Sequence, residues 1–310
     1  MRRSSISTWM LTGALCAGLA APAVAQEGEE PSTRVDDIVV IGNVPLREQI
    51  DIFVGEVTEP PEGRGPARWS RRGGVCVGVA NLRQDVAQAV ADRVSDRARQ
   101  LGLAVGEPDC RANVLIIATD DGQALARALV ERSPNAFRPD YAGSSKTRRE
   151  LELFVETDRP IRWWHVSMPV ISGQGIPAVK LPGDDAPFIP GPGRVRTAVR
   201  NVLLRAYVIV DLDQTEHLTL TQLADYAAMV AFAQIDPDAD VGAFSTILNV
   251  FEDPAATSEL TDWDLAYLGA VYTGERNQRD PRSQVAGVAA SMYADRDAAV
   301  ERQAPAAASE

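Results

Sequence analysis

Residues 75–120, VCVGVANLRQDVAQAVADRVSDRARQLGLAVGEPDCRANVLIIATD, decide the fold class. VCVGVA is a short apolar run with strand character. In the segment that follows, Val86, Val90, Val94, Ala98 and Leu101 recur at spacings of three and four, which predicts one apolar face on a helix. PDC turns the chain. RANVLIIATD is apolar on both faces, as a strand inside a sheet is. A strand, a helix and a strand in so short a span predict a parallel pair joined by a crossover helix. The same arrangement sets Cys76 and Cys110 beside neighbouring strands.

Working outward, the chain alternates between such elements. PLREQIDIFVGEV (45–57) opens on a proline and spaces Leu46, Ile50, Phe53 and Val54 helically. TEPPEGRGPARWSRRGG (58–74) reads as a linker; it is basic and Gly-rich but matches no phosphate-loop spacing. DGQALARALVERSP predicts a helix stopped at Pro134. RRELELFVET fits helix or strand. PIRWWHVSMPV (160–170) reads as a strand, and Ala206–Leu212 as another. Between them residues 172–193 hold so much Gly and Pro that a long exposed loop is expected. A helix over 220–235 follows, with Thr219 or Thr221 at its N-cap, then a turn at DPDADVGAFST. TDWDLAYLGAVY should be a helix with Thr261 as cap and Asp264 at N3. The expected class is α+β with a central mixed sheet. The expected divisions are a leader at 1–25, a flexible segment at 26–67 with a short strand (DDIVVIG) and helix, a globular domain at 68–275, and a weak helix with a disordered tail at 276–310.

The first residues predict the compartment. Arg2 and Arg3 precede a short apolar core, and Ala23-Val24-Ala25 precedes Gln26 as a cleavage site does, which is the pattern of a secretory signal peptide. A periplasmic or secreted protein is expected, with no membrane-spanning segment once the leader is removed. Loss of Arg2 and Arg3 would take the net charge from −12 to −14. Such a charge, with no basic stripe, argues against nucleic acid as partner. In an oxidising compartment the two remaining cysteines, Cys76 and Cys110, should form a structural disulfide.

The chemistry-bearing residues are few. Catalytic zinc needs three protein ligands and an open position. The chain has two histidines, His165 and His217, and the helix at 220–235 has none. Aspartates cluster at DPDADVG and PGDDAP without an ordered calcium-loop spacing. No G-x-S-x-G elbow is present. No metal and no cofactor is expected on these grounds.

Four segments in order, AYVIVDLD, QLADYAAMVAFAQID, STILNVF and LTDWDLAYLGAVY, together resemble a zincin-like family of exported bacterial proteins of unknown function, related in outline to metzincin proteases. The resemblance spans roughly residues 204–273. Proteases of that outline carry His and Glu where this helix has Gln222, Asp225, Tyr226 and Met229. What the resemblance implies is a zincin-like scaffold in the C-terminal half that lacks the zinc motif. The leading expectation is a non-catalytic scaffold or binding protein for a protein, a peptide or an envelope polymer. Its candidate surface is Trp163, Trp164 and His165, with the loop 172–193 beside it. The alternative is a metal-independent periplasmic hydrolase that uses His165 or His217.

Overall fold

The computed structural model describes residues 44–303 apart from residues 72, 141–144, 181, 182, 184, 190–192, 275 and 276, with side chains to Arg296. The leader, the strand expected at 36–42 and the tail from 304 lie outside these residues. In chain order the elements are α1 (Leu46–Val57), β1 (Val77–Ala80), α2 (Gln84–Gln100), β2 (Val114–Thr119), α3 (Gly122–Arg132), α4 (Pro134–Phe137), α5 (Arg148–Glu156), β3 (Ile161–Ile171), β4 (Val199–Asp211), α6 (Leu212–Thr215), α7 (Leu220–Phe232), α8 (Asp262–Thr273) and α9 (Pro281–Gln303). A single turn of 3₁₀ helix, Ile247–Asn249, lies between α7 and α8.

The fold is α+β around a mixed four-stranded sheet, in the order β1-β2-β4-β3. β1, β2 and β4 run parallel and β3 runs antiparallel to β4. The predicted crossover β1–α2–β2 is present. Cys76 and Cys110 are bonded with Cα atoms 6.0 Å apart. Gly106 makes room for the bridge, since a Cβ there would lie 2.5 Å from Cys110 Sγ.

Strand periodicity sorts side chains into two cores. On one face Val114, Ile116, Ala206, Val208 and Val210 meet α1, α2, α7, α8 and α9. On the other, Trp164, Val166, Tyr207 and Ile209 meet Ala126 of α3, Phe137 of α4 and Phe154 of α5. α5 settles the ambiguous RRELELFVET as helix. Its capping box joins Thr147 and Glu150, and Arg162 donates to the Phe154 and Val155 carbonyls at its C-terminal end, both at 3.1 Å.

The expected divisions need correction. Ile50, Phe53, Val54 and Val57 of α1 are in the main core, so this helix is no flexible preface to the domain. The expected linker is also built in. Ala67, Arg68 and Trp69 are buried, Ala67 N donates to Gln234 Oε1 at 2.7 Å, and the Trp69 indole donates to the Ala231 carbonyl at 2.8 Å. Pro and Gly in this stretch mark an irregular path across a core rather than a free tether. α9 contributes Val288, Ala289 and Met292 to the same core and is not an appendage. No helix among the described residues is long and apolar enough to cross a membrane.

Candidate functional site

α7 begins with a capping box. Thr219 Oγ1 accepts from Gln222 N at 3.2 Å, and Gln222 Oε1 accepts from Thr219 N at 2.8 Å. The Gln222 amide also donates to the Pro254 and Thr257 carbonyls, both at 2.7 Å. Gln222 is thus wholly committed to structure. The helix ends at Phe232, three residues before the expected 235, because the chain from Ala233 turns extended and pairs with residues 57–59. Glu59 N donates to Gln234 O and Asp236 N to Val57 O, both at 2.9 Å.

Neighbouring residues of α7 point to different surroundings. Asp225 has no solvent exposure and faces α2. Arg93 and Arg97, one turn apart, each bind its carboxylate in bidentate fashion, at 2.8 and 2.8 Å and at 3.0 and 2.8 Å. The Leu260 amide adds a fifth bond at 2.8 Å. Half-exposed Glu259 closes the network onto both guanidinium groups, at 2.8 and 3.1 Å. Burial by itself pushes the Asp225 carboxyl up; the Arg97, Arg93 and Leu260 hydrogen bonds outweigh it and hold the group below its usual value.

Tyr226 turns the other way, into a groove of about 620 Å³. Its ring stands between those of Trp163, with centroids 6.2 Å apart, and Phe251, at 5.2 Å, both edge to face. The residue is only 7% exposed, yet its hydroxyl has no hydrogen-bond partner among the described residues. Burial raises its pKa, and the nearby Glu252 charge adds to the rise, so the group stays a neutral phenol. Asp236, Asp240, Glu252 and Asp253 also line the groove. Its one basic lining residue, Arg159, is spent on Asp238 Oδ1 at 2.6 Å and on the Pro237 carbonyl.

The candidate residues Trp163, Trp164 and His165 lie together but are more buried than a surface site requires. Adjacent side chains of β3 leave opposite faces of the sheet, yet all three residues border one cavity of about 110 Å³, because β3 is the edge strand. Trp164 is 2% exposed in the smaller core and donates to Phe137 O at 2.7 Å. Half-buried Trp163 lines the groove from the main-core side and donates to Ile235 O at 3.2 Å. His165 is buried, and its Nε2 has no partner. It lines that smaller cavity with Lys146 and Glu59, which form an ion pair with each other. Burial, then the Lys146 charge, lowers the His165 pKa to about 4. His217 is exposed, with its ring 6.4 Å from that of Phe251. Neither imidazole hydrogen-bonds to a serine or a carboxylate among the described residues. The hydrolase alternative therefore finds no assembled set.

The expected loop is largely exposed where it is described, with Ile176 at 50% and Phe188 at 85%. At the DPDADVG turn, Asp236 Oδ1 accepts from Asp238 N at 2.8 Å, and Asp238 pairs with Arg159. Among the described residues no three His, Cys, Asp or Glu side chains gather as a metal site requires.

Tyr226 belongs to the main core as well as to the groove wall, and no sequence motif singles out Phe251 beside it. The signal lies in two acid-bearing turns, QIDPDAD and VFEDP, which stand on either side of the 3₁₀ turn. Comparison with protein-family models, with curated proteins and with solved structures finds no significant match to this chain.

Proposed function

We propose that this chain is an exported, non-catalytic binding protein of zincin-like outline, and that the groove beside α7 is its binding site. The observation that carries this reading is the engagement of Asp225. It is the one acid within α7, and its carboxylate accepts five hydrogen bonds from Arg93, Arg97 and Leu260. A carboxylate so saturated has no lone pair directed at a metal or a water, so it serves neither as ligand nor as general base. Gln222, near where a protease of that outline places an imidazole, is bound to two carbonyls instead. The other side of the helix offers an aromatic groove of the size that takes small ligands. The order of β4, α7, the 3₁₀ turn and α8 supports the zincin-like outline, and the leader sequence supports export.

Elemental analysis of the purified mature protein, with melting in the presence and absence of a chelator, tests the reading. The expected result is no stoichiometric zinc and an unchanged melting temperature, because a metal bound only by the native state would raise it. Equimolar zinc with a chelator-induced drop in melting temperature would return the chain to the metalloenzymes.

A further inference from the structure

The groove beside α7 combines three features that point to one ligand chemistry. Aromatic rings from three separate elements meet there: Trp163 from β3, Tyr226 from α7 and Phe251 from the turn after the 3₁₀ helix. The pairs meet edge to face, with interplanar angles of 65° and 70°, so each contact occludes a face of one ring only, where stacking would occlude a face of both. Four carboxylates line the same space, and its single guanidinium is committed elsewhere. The Tyr226 hydroxyl lies in a residue more than nine-tenths buried and lacks a protein partner. The oxygen borders the groove and is free to accept from a ligand that enters it.

We propose that this groove binds a small cation that carries N–H groups, a guanidinium or alkylammonium compound. The cation lies against the negative faces of Trp163 and Phe251. An N–H of the ligand donates to the Tyr226 hydroxyl oxygen. Glu252, Asp253, Asp236 and Asp240 supply the opposite charge at the rim, where it speeds capture and rejects anions. The ligand's alkyl part covers the apolar floor. A quaternary ammonium satisfies the rings and the charge but leaves Tyr226 without its donor, so it binds less well. This inference rests on the groove being the binding site.

Isothermal titration of the mature protein with n-butylguanidinium, the neutral isostere n-butylurea, tetramethylammonium and butyrate separates the terms. The expected order places n-butylguanidinium first, n-butylurea about tenfold weaker, and butyrate without binding. Tyr226→Phe, which keeps the ring, should weaken n-butylguanidinium about fivefold and leave tetramethylammonium unchanged. Glu252→Gln with Asp253→Asn, both at exposed positions, should weaken both cations and flatten their salt dependence. If n-butylurea binds as well as n-butylguanidinium and Tyr226→Phe weakens both, the groove is a binding site but charge does not select its ligand, and the inference falls alone. If no probe binds at millimolar concentration, the inference falls and so does the groove as a small-ligand site. The zinc analysis judges the non-catalytic reading independently of either result.

Discussion

Asp225 of α7 and Arg97 of α2 form a bidentate pair at 3.0 and 2.8 Å, with the carboxylate wholly out of solvent. The pair, doubled by Arg93, fixes α7 against the crossover helix. Removing one partner of such a pair leaves uncompensated charge in the interior. Asp225→Asn should therefore destabilise the protein by about 3–5 kcal/mol. Arg93→Met, which leaves Arg97 in place, should cost less. Urea denaturation of both variants checks this order. A loss below about 1 kcal/mol for Asp225→Asn would show that the network is no anchor.

Two groups divide the acid side of the stability profile. His165 is held neutral, with its pKa lowered to about 4 from an ordinary 6.5. In the unfolded chain it takes up a proton near pH 6.5. The stability associated with the neutral form is complete above that pH and falls as the pH drops toward 4, by about 3 kcal/mol in all. Asp225, whose pKa is lowered in the fold, contributes stability above the ordinary carboxylate value, which is lost only at lower pH still. His165→Gln should flatten the profile between pH 6.5 and 4 and leave the steeper loss below it. Denaturant midpoints at half-unit pH steps would show this. An unchanged slope in the variant would assign the acid loss to other groups.

Much of the fold was legible because its signals are local. The periodicity of Val90, Val94 and Ala98, an N-cap at Thr219 or Thr221, the cap at Thr261 with Asp264 at N3, and the apolar run at β2 each depend on a few adjacent residues. What was missed depends on distance along the chain. Arg68 and Trp69 sit in a Pro- and Gly-rich segment and gain their burial from Gly274 and Ala231, more than 150 positions away. Trp163 and Trp164 leave opposite faces of β3, and only the place of β3 at the sheet edge, which no local signal shows, brings both to one cavity. Tyr226 packs in the main core, as the apolar stripe of α7 suggests, but such a stripe does not reveal that part of it also borders a groove.

The disulfide joins the turn before β2 to the start of β1 across 34 positions. In the chain-entropy account, closing that loop contributes about 3–4 kcal/mol through the unfolded state. Thiol titration of the denatured, unreduced protein should find neither Cys76 nor Cys110 free. Reduction, or Cys76→Ala with Cys110→Ala, should lower the urea midpoint correspondingly while the native far-ultraviolet circular dichroism persists. Two free thiols in the untreated protein would remove the bridge from the argument.

The segment between β3 and β4 should be the first cut by a protease. Its start is anchored, since Ile171 N donates to Ile176 O and Ala178 N to Pro169 O, both at 2.8 Å, and Ala178 is buried. Its end is anchored too, since Arg279 N donates to Val195 O at 2.9 Å, but between the anchors Phe188 is 85% exposed and its side chain secures nothing. Cleavage requires an extended backbone that can enter the enzyme's site, and exposed residues without packing provide it at little cost. Limited digestion with thermolysin should therefore give two fragments that meet between residues 183 and 194. They should stay associated, because β3 and β4 remain paired along their whole length in the sheet. Cleavage first within α1 or the stretch 58–70 would instead mean that those segments, buried here, open more readily than the loop.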